Sequence, residues 1–304
     1  LDLRNNGGGA LQTVVDMTGL FIEKGPIVQV KSIGNRKKIL YDKDPQVIWD
    51  GPLVILMNKM SASASEILAG ALQDYNRAVI IGNENSFGKG TVQNVIDLNR
   101  FISNSSYDLG ALKITTDKFY RINGESVQLE GVKSDIVIPD SYKYVFNGER
   151  DEKNPLKWDK IGPANFEKWT KRDYLNKISN ETQNRIDSDK YYSLINDRAK
   201  WLKDQQSNKS ISLNFGLYNT FLNTQREKNE RFETLGKYEN SLSFKLLKAE
   251  KQYIMSNKEL LSSRNRWHRN LTKDLYVEEG VKALEMLSAI DKNILVVNND
   301  KNIK

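Results

Sequence analysis

Short runs of β-branched and aliphatic residues punctuate the first half of the chain. They are Pro26–Val30, Pro52–Met57, Ala78–Gly82, Thr91–Ile96 and Asp135–Pro139. Each is short and bounded by Gly, Pro, Asn or Asp, the pattern of buried strands. Between them lie stretches with helical periodicity, notably Ala10–Phe21 and Ala64–Tyr75. Strands alternating with helices predict an α/β domain with a largely buried sheet. After Pro139 the pattern changes. Residues 144–163 carry Gly148, Pro155, Gly162 and Pro163 among charges, which predicts a linker or irregular connection. From about residue 164 onward Pro disappears, Gly is rare, and Lys, Glu, Leu, Asn and Arg recur at helical spacing. The expected organisation is therefore an α/β unit over 1–143, a connection over 144–163 and an all-α region over 164–304. Within the last, Val281, Leu284, Leu287 and Ile290 predict one apolar stripe on a helix over Val277–Ile290.

Charge sharpens the division. Of 304 residues, 46 are Lys or Arg and 39 Asp or Glu. Residues 1–150 hold 17 basic and 17 acidic side chains, and residues 151–304 hold 29 and 22, so the whole net +7 belongs to the second half. There is no cysteine and one histidine, His268. That excludes a thiol nucleophile, a thiolate metal site and a His-rich zinc site. No metal and no cofactor are expected. No apolar run approaches 18 residues, so no membrane-spanning helix is expected. The chain opens on Leu1-Asp-Leu-Arg, which reads as the end of a strand, and is expected to be the C-terminal part of a longer protein.

Three segments carry candidate chemistry. Arg4-Asn-Asn-Gly-Gly-Gly9 follows a strand end, where consecutive glycines let backbone N–H groups converge on an anion; a flexible turn would look the same. The dinucleotide fingerprint is not completed. Ser61-Ala-Ser-Ala-Ser-Glu66 lies between a strand and a helix, where free N–H groups favour developing negative charge. Ser63 and Glu66 also fit a capping box, which needs no chemistry at all. Ser86-Phe-Gly-Lys-Gly-Thr-Val-Gln93 resembles a phosphate loop but has the wrong glycine spacing, and Gly90 follows the lysine where Ser or Thr is required. Lys89 and Gln93, four apart on an extended segment, share a face. All three segments fall in successive loops at one end of consecutive strands, where α/β sheets place function. A serine, a lysine and backbone donors would need no histidine.

Leu1-Asp-Leu-Arg-Asn-Asn-Gly-Gly-Gly, Ser61-Ala-Ser-Ala-Ser-Glu-Ile and Phe87-Gly-Lys-Gly-Thr-Val-Gln resemble the signature blocks of the C-terminal processing peptidases (peptidase family S41). Phe119-Tyr-Arg-Ile-Asn-Gly and Gly131-Val-Lys-Ser-Asp-Ile-Val-Ile-Pro resemble that family's closing strands. Trp158-Asp-Lys-Ile and the Lys/Glu-rich tail are similar to the tail-specific protease branch. The resemblance implies a protease core of the ClpP/crotonase-like α/β type followed by an all-α C-terminal domain. It implies Ser63 as nucleophile, Lys89 as base and Gln93 as the group that orients the lysine. The oxyanion donors would be the backbone N–H of Ala64 and of a glycine within 7–9, with Gly8 favoured. Three departures from the common pattern stand out: Gly7 and Ser134 replace prolines, and Asn83–Ser86 is one residue longer.

The lysine must be neutral to accept a proton, which calls for a desolvated amine walled by Phe87 and Val92. The resemblance further implies protein or peptide substrates with apolar C-termini, captured by a preceding PDZ domain, a possible adaptor protein, and a periplasmic or extracytoplasmic location. Two other readings remain open. One is a catalytically silent fragment that only binds peptide tails. The other is single-strand nucleic-acid binding by Arg264-Asn-Arg-Trp-His-Arg269, set against a solvated helix face with Trp267 tucked inward. No nucleic-acid partner is expected, and His268 is expected at the surface or between helices.

Overall fold

The computed structural model describes residues 1–101, 107–145, 148–169 and 175–301, with side chains as far as Ile290. Residues 146–147, 170–174 and 302–304 of the expected connection and helical region lie outside the described residues. The chain divides into two compact units, one of Leu1–Val137 with Phe146–Asn180 and one of Ile138–Val145 with Glu181–Lys304.

The first unit has a parallel sheet at its heart. Strands β3 (Val54–Met57), β4 (Val79–Gly82) and β7 (Ile136–Val137) lie in that order, with β3 and β4 buried throughout. Four consecutive apolar side chains with no polar alternation are what a strand covered on both faces requires. The first residues extend this sheet. Asp2 bridges Leu56 in parallel, and Leu3 N–H and Leu56 N–H bond to Leu56 O and Leu1 O at 2.9 and 2.8 Å. Residues 1–3, β3 and β4 therefore run the same way, and the segments that follow them leave the sheet at one edge. Gly82 closes β4 where a Cβ would sit 1.9 Å from Met57 O, so only glycine fits beside β3 there.

Two helices cover this sheet. Helix α1 (Leu11–Gly19) buries Val14 and Val15; α2 (Ala64–Asp74) is buried from Ala64 through Leu72. With Ile27, Ile55, Met57, Ile80, Phe119, Ile122 and Val132 they form one core. A second, antiparallel sheet has the order β2 (Lys37–Asp42), β1 (Gly25–Ser32), β6 (Ala111–Tyr120), β5 (Thr91–Asp97). Strand β5 is an edge strand, paired only with β6 among the described residues. The segment after Gly148 is irregular in backbone yet held down. Ile161 N–H bonds to Gly124 O at 2.9 Å, Trp158 Nε1 donates to Ser126 O at 2.8 Å, and Ala164 is buried.

Helices account for the rest: α3 (Leu175–Ser188), α4 (Lys190–Ser207), α5 (Phe215–Glu233), α6 (Lys248–Ser256), α7 (Lys258–Leu271) and α8 (Leu275–Lys301). The architecture is an α/β core followed by a helical region. The buried stripe of α8 differs from the expected one: Glu279, Ala283 and Leu287 are fully buried, whereas Val281, Leu284 and Ile290 are half-buried. The reason is polar. The Glu279 carboxylate takes both Arg185 guanidinium donors, and the Tyr192 hydroxyl at 3.0 Å. Trp267 is not tucked inward either; it is 50% exposed, with the Arg264 guanidinium 5.1 Å from its ring centre. That arginine is paired to Glu250 at 3.1 Å, which neutralises the cation beside the ring. His268 is half-buried, 5.5 Å from the Trp267 ring. Among the described residues no helix is long and apolar enough to cross a membrane.

Candidate active site

The turn from β3 into α2 carries three serines with different employment. The Ser61 hydroxyl donates to Leu3 O at 2.8 Å and accepts from Asn58 N–H at 3.0 Å. The Ser65 hydroxyl donates to Asn6 O at 3.0 Å, and Ala62 N–H reaches the same oxygen at 3.0 Å. Both side chains are buried and pin the 1–6 segment to the turn. Ser63 stands between them, half-buried, and its hydroxyl takes part in no hydrogen bond among the described residues. Its backbone has φ 57° and ψ −116°, a strained conformation that costs on the order of 1–3 kcal/mol for a non-glycine residue.

The capping reading of Ser63 and Glu66 is half realised. Glu66 Oε2 accepts from Ser63 N–H at 2.7 Å, but Glu66 N–H bonds to the Ser63 carbonyl, not to its hydroxyl. The serine oxygen is thus released from the structural duty that would have explained it. Ala64 begins the helix, so its N–H has no partner within the helix. Gly8 abuts this turn: a Cβ on it would sit 2.8 Å from Ser63 Cβ and 3.0 Å from Ala64 N, at a φ of +107°. The Gly8 N–H donates to Asn6 Oδ1 at 2.9 Å.

The third segment comes to the same place. Phe87 N–H bonds to Ser61 O at 3.0 Å, while Gly88 N–H and Lys89 N–H donate to Glu66 Oε1 and Oε2 at 2.7 and 3.0 Å. Lys89 Nζ donates to Gln93 Oε1 at 3.3 Å, across the face that the extended backbone gives them. No hydrogen bond joins Ser63 Oγ to Lys89 Nζ among the described residues. The expected apolar wall is thinner than the chemistry calls for. Lys89, Phe87 and Val92 are half-buried and Gln93 is exposed, because β5 is an edge strand. Glu66 itself is fully buried. Burial pushes its carboxyl up to about 7, against the donors from Ser86, Gly88, Ser63 and Lys89 that pull it down.

Sequence reading missed Glu66 as anything beyond a cap partner, and it missed Asn6 and Ser86. The available signal was a single carboxylate inside an otherwise apolar, small-residue helix start. Among the described residues no group of three or more His, Cys, Asp or Glu could hold a metal ion.

Comparison with known proteins bears on what this arrangement is. Residues 1–138 match the model of peptidase family S41, and residues 142–286 match the C-terminal domain of tail specific protease. The chain belongs to peptidase family S41. The tail-specific protease of Haemophilus influenzae is 40% identical over 246 residues, 78% of this chain and 35% of that one. The carboxy-terminal-processing protease of Bartonella bacilliformis is 42% identical over 148 residues, 47% of this chain and 32% of that one. Among solved structures, the photosystem II D1 C-terminal processing protease matches at 34% identity with a TM-score of 0.40, covering 45% of this chain and 33% of that one. This S41 chain spans about a third of the length of the curated relatives it matches.

Proposed function

We propose that the chain carries the Ser/Lys catalytic centre of a serine endopeptidase acting on proteins with apolar C-terminal tails. The observation that carries this reading is the division of labour among three serines. Ser61 and Ser65 are spent on structure, while Ser63 is half-exposed, strained and, among the described residues, without a hydrogen-bond partner for its hydroxyl.

Lys89, as the neutral amine, takes the Ser63 hydroxyl proton as Oγ attacks the scissile carbonyl. The negative charge that develops on the carbonyl oxygen is met by the Ala64 N–H and by a glycine N–H from residues 7–9, Gly8 in the first instance. Lys89 then gives its proton to the departing amine, leaving an acyl-enzyme on Ser63. Water, deprotonated by the same lysine, hydrolyses that ester. Gln93 holds the amine through a neutral acceptor, which orients the lysine without favouring its charged form. The preference for apolar tails, a PDZ domain that captures them and an extracytoplasmic location rest on family likeness.

The test is cleavage by the full chain of an unfolded protein ending in apolar residues, beside the same protein ending in two aspartates. The apolar-tailed substrate is expected to be cut faster, and Ser63→Ala and Lys89→Ala to abolish cutting of both. Full activity in Lys89→Arg would sink the neutral-base role, because arginine stays charged.

A further inference from the structure

Glu66 is the most enclosed charged group of the site and has no part in the chemistry described above. It makes four hydrogen bonds through two oxygens. Oε1 accepts from the Ser86 hydroxyl at 2.6 Å and Gly88 N–H at 2.7 Å; Oε2 accepts from Ser63 N–H at 2.7 Å and Lys89 N–H at 3.0 Å. Three of the four donors lie 20 to 23 residues away, on the loop that carries the lysine. A helix cap needs only the first turn's own N–H groups, and an exposed cap would avoid the cost of burying a carboxylate. Glu66 is fully buried, so its enclosure is explained by the loop it holds rather than by the helix it starts.

The network reaches further. Ser86 Oγ accepts from Val132 N–H at 2.7 Å while donating to Glu66, and a Cβ on Gly131 would fall 2.6 Å from that hydroxyl. The base loop is thereby clamped between residues 131–132 and the start of α2. Ser63 N and Lys89 N share a single oxygen atom, which fixes the two residues' backbones relative to each other.

We propose that Glu66 is a positioning residue that sets the separation of nucleophile and base, with Ser86 as its second anchor. It touches neither substrate nor the reacting atoms. The proposal rests on the assignment of Ser63 and Lys89 as the dyad. The number of acceptors matters as well as the shape. A carboxylate offers acceptors to all four donors, whereas the amide of Glu66→Gln must turn an N–H₂ toward one pair of them. Glu66→Asp withdraws the carboxylate by one methylene and cannot span both partners.

The experiment measures kcat and KM of the full chain on an unfolded protein substrate, Ser63 labelling by a fluorophosphonate, and the melting temperature. Variants are Glu66→Gln, Glu66→Asp, Ser86→Ala and Ser86→Thr. Glu66→Gln and Glu66→Asp are expected to lower kcat and the labelling rate about tenfold or more, with KM within about twofold and the chain still folded at the assay temperature. Ser86→Ala is expected to lower kcat about threefold, and Ser86→Thr, which keeps the hydroxyl, to restore it. Unchanged kcat in Glu66→Gln overturns the proposal, as does a fall in activity that only follows a fall in melting temperature. If Glu66→Gln does not fold, the Ser86 pair decides alone: equal kcat in Ala and Thr overturns it. Activity surviving Ser63→Ala would instead defeat the dyad assignment, a result separable from all of these.

Discussion

The Gly8 N–H donates to the Asn6 side chain at 2.9 Å, so the amide that abuts Ser63 is already committed. The Asn6 carbonyl oxygen simultaneously accepts from Ala62 N–H and Ser65 Oγ, which keeps the asparagine backbone in place whatever its side chain does. An oxyanion that uses Gly8 has to displace Asn6 Oδ1. Asn6→Ala is expected to speed Ser63 acylation by a fluorophosphonate roughly threefold. No acceleration would mean that Gly8 is not the donor, and that Gly7 or Gly9 is.

Gly8→Ala is expected to cost far more. The new Cβ meets Ala62 O and Ser63 Cβ at 2.8 Å, both parts of a fixed turn, and φ +107° disfavours any side chain. A loss of kcat/KM on the order of a hundredfold is anticipated, with a drop in melting temperature. Retained activity would place the glycine segment outside the site.

Gln93→Glu tests the neutrality of the acceptor beside the lysine amine. A carboxylate at 3.3 Å favours the ammonium, which cannot take the serine proton. The acidic limb of the pH–rate profile should move upward by about one pH unit. A profile identical to the wild type would remove Gln93 from the set of residues that hold the amine.

Glu66 also ties stability to pH. Its carboxyl, pushed by burial from an ordinary value of 4.5 to about 7, binds its proton more tightly in the folded than in the unfolded chain. The sign follows from linkage: the contribution is present below about pH 4.5 and is lost as pH rises through about 7. The loss is on the order of 3 kcal/mol. Urea midpoints should fall more steeply across that window in the wild type than in Glu66→Gln; parallel slopes would assign the pH dependence to another group.

In the helical region, burial pulls the Glu279 carboxyl upward, but the hydrogen bonds and charge of Arg185, then of Lys282, outweigh it and hold the group below its usual range. Glu279→Ala leaves the Arg185 guanidinium and the Tyr192 hydroxyl without that partner. Because Arg185 keeps part of its surface in water, the expected cost is about 2 kcal/mol, below that of breaking a fully buried pair. Unfolding by urea, followed by helical circular dichroism, would show it; a midpoint shift below the error would reduce the pair to decoration.

The parallel strands and both core helices were legible because their apolar runs are short, dense and sharply bounded. Strands β2 and β6 were not. Lys37-Lys-Ile-Leu-Tyr-Asp and the first residues of β6 mix charge with aliphatics and are largely exposed, so no face announces itself; only Phe119-Tyr120 stood out, by family likeness. The candidate dyad could be read because its residues are local motifs. Glu66 was half read. Its bond to Ser63 is local and follows a spacing rule, whereas Ser86, Gly88 and Lys89 reach it only after folding. The stripe on α8 failed for a related reason: an ion pair drew Glu279 inward, and apolar spacing cannot anticipate a buried carboxylate.

The two halves of the candidate dyad stand on ground of unequal firmness. Helix α2 is enclosed from Ala64 to Leu72, so its amide hydrogens should exchange with solvent deuterium only when the whole unit opens. Strand β5, exposed along most of its length and paired on one side, should exchange by local fraying. Because Glu66 holds the backbones of both Ser63 and Lys89, any adjustment that brings hydroxyl and amine together must be made by the lysine side chain and by the strand that carries its Gln93 partner, while the serine waits on a surface that does not yield.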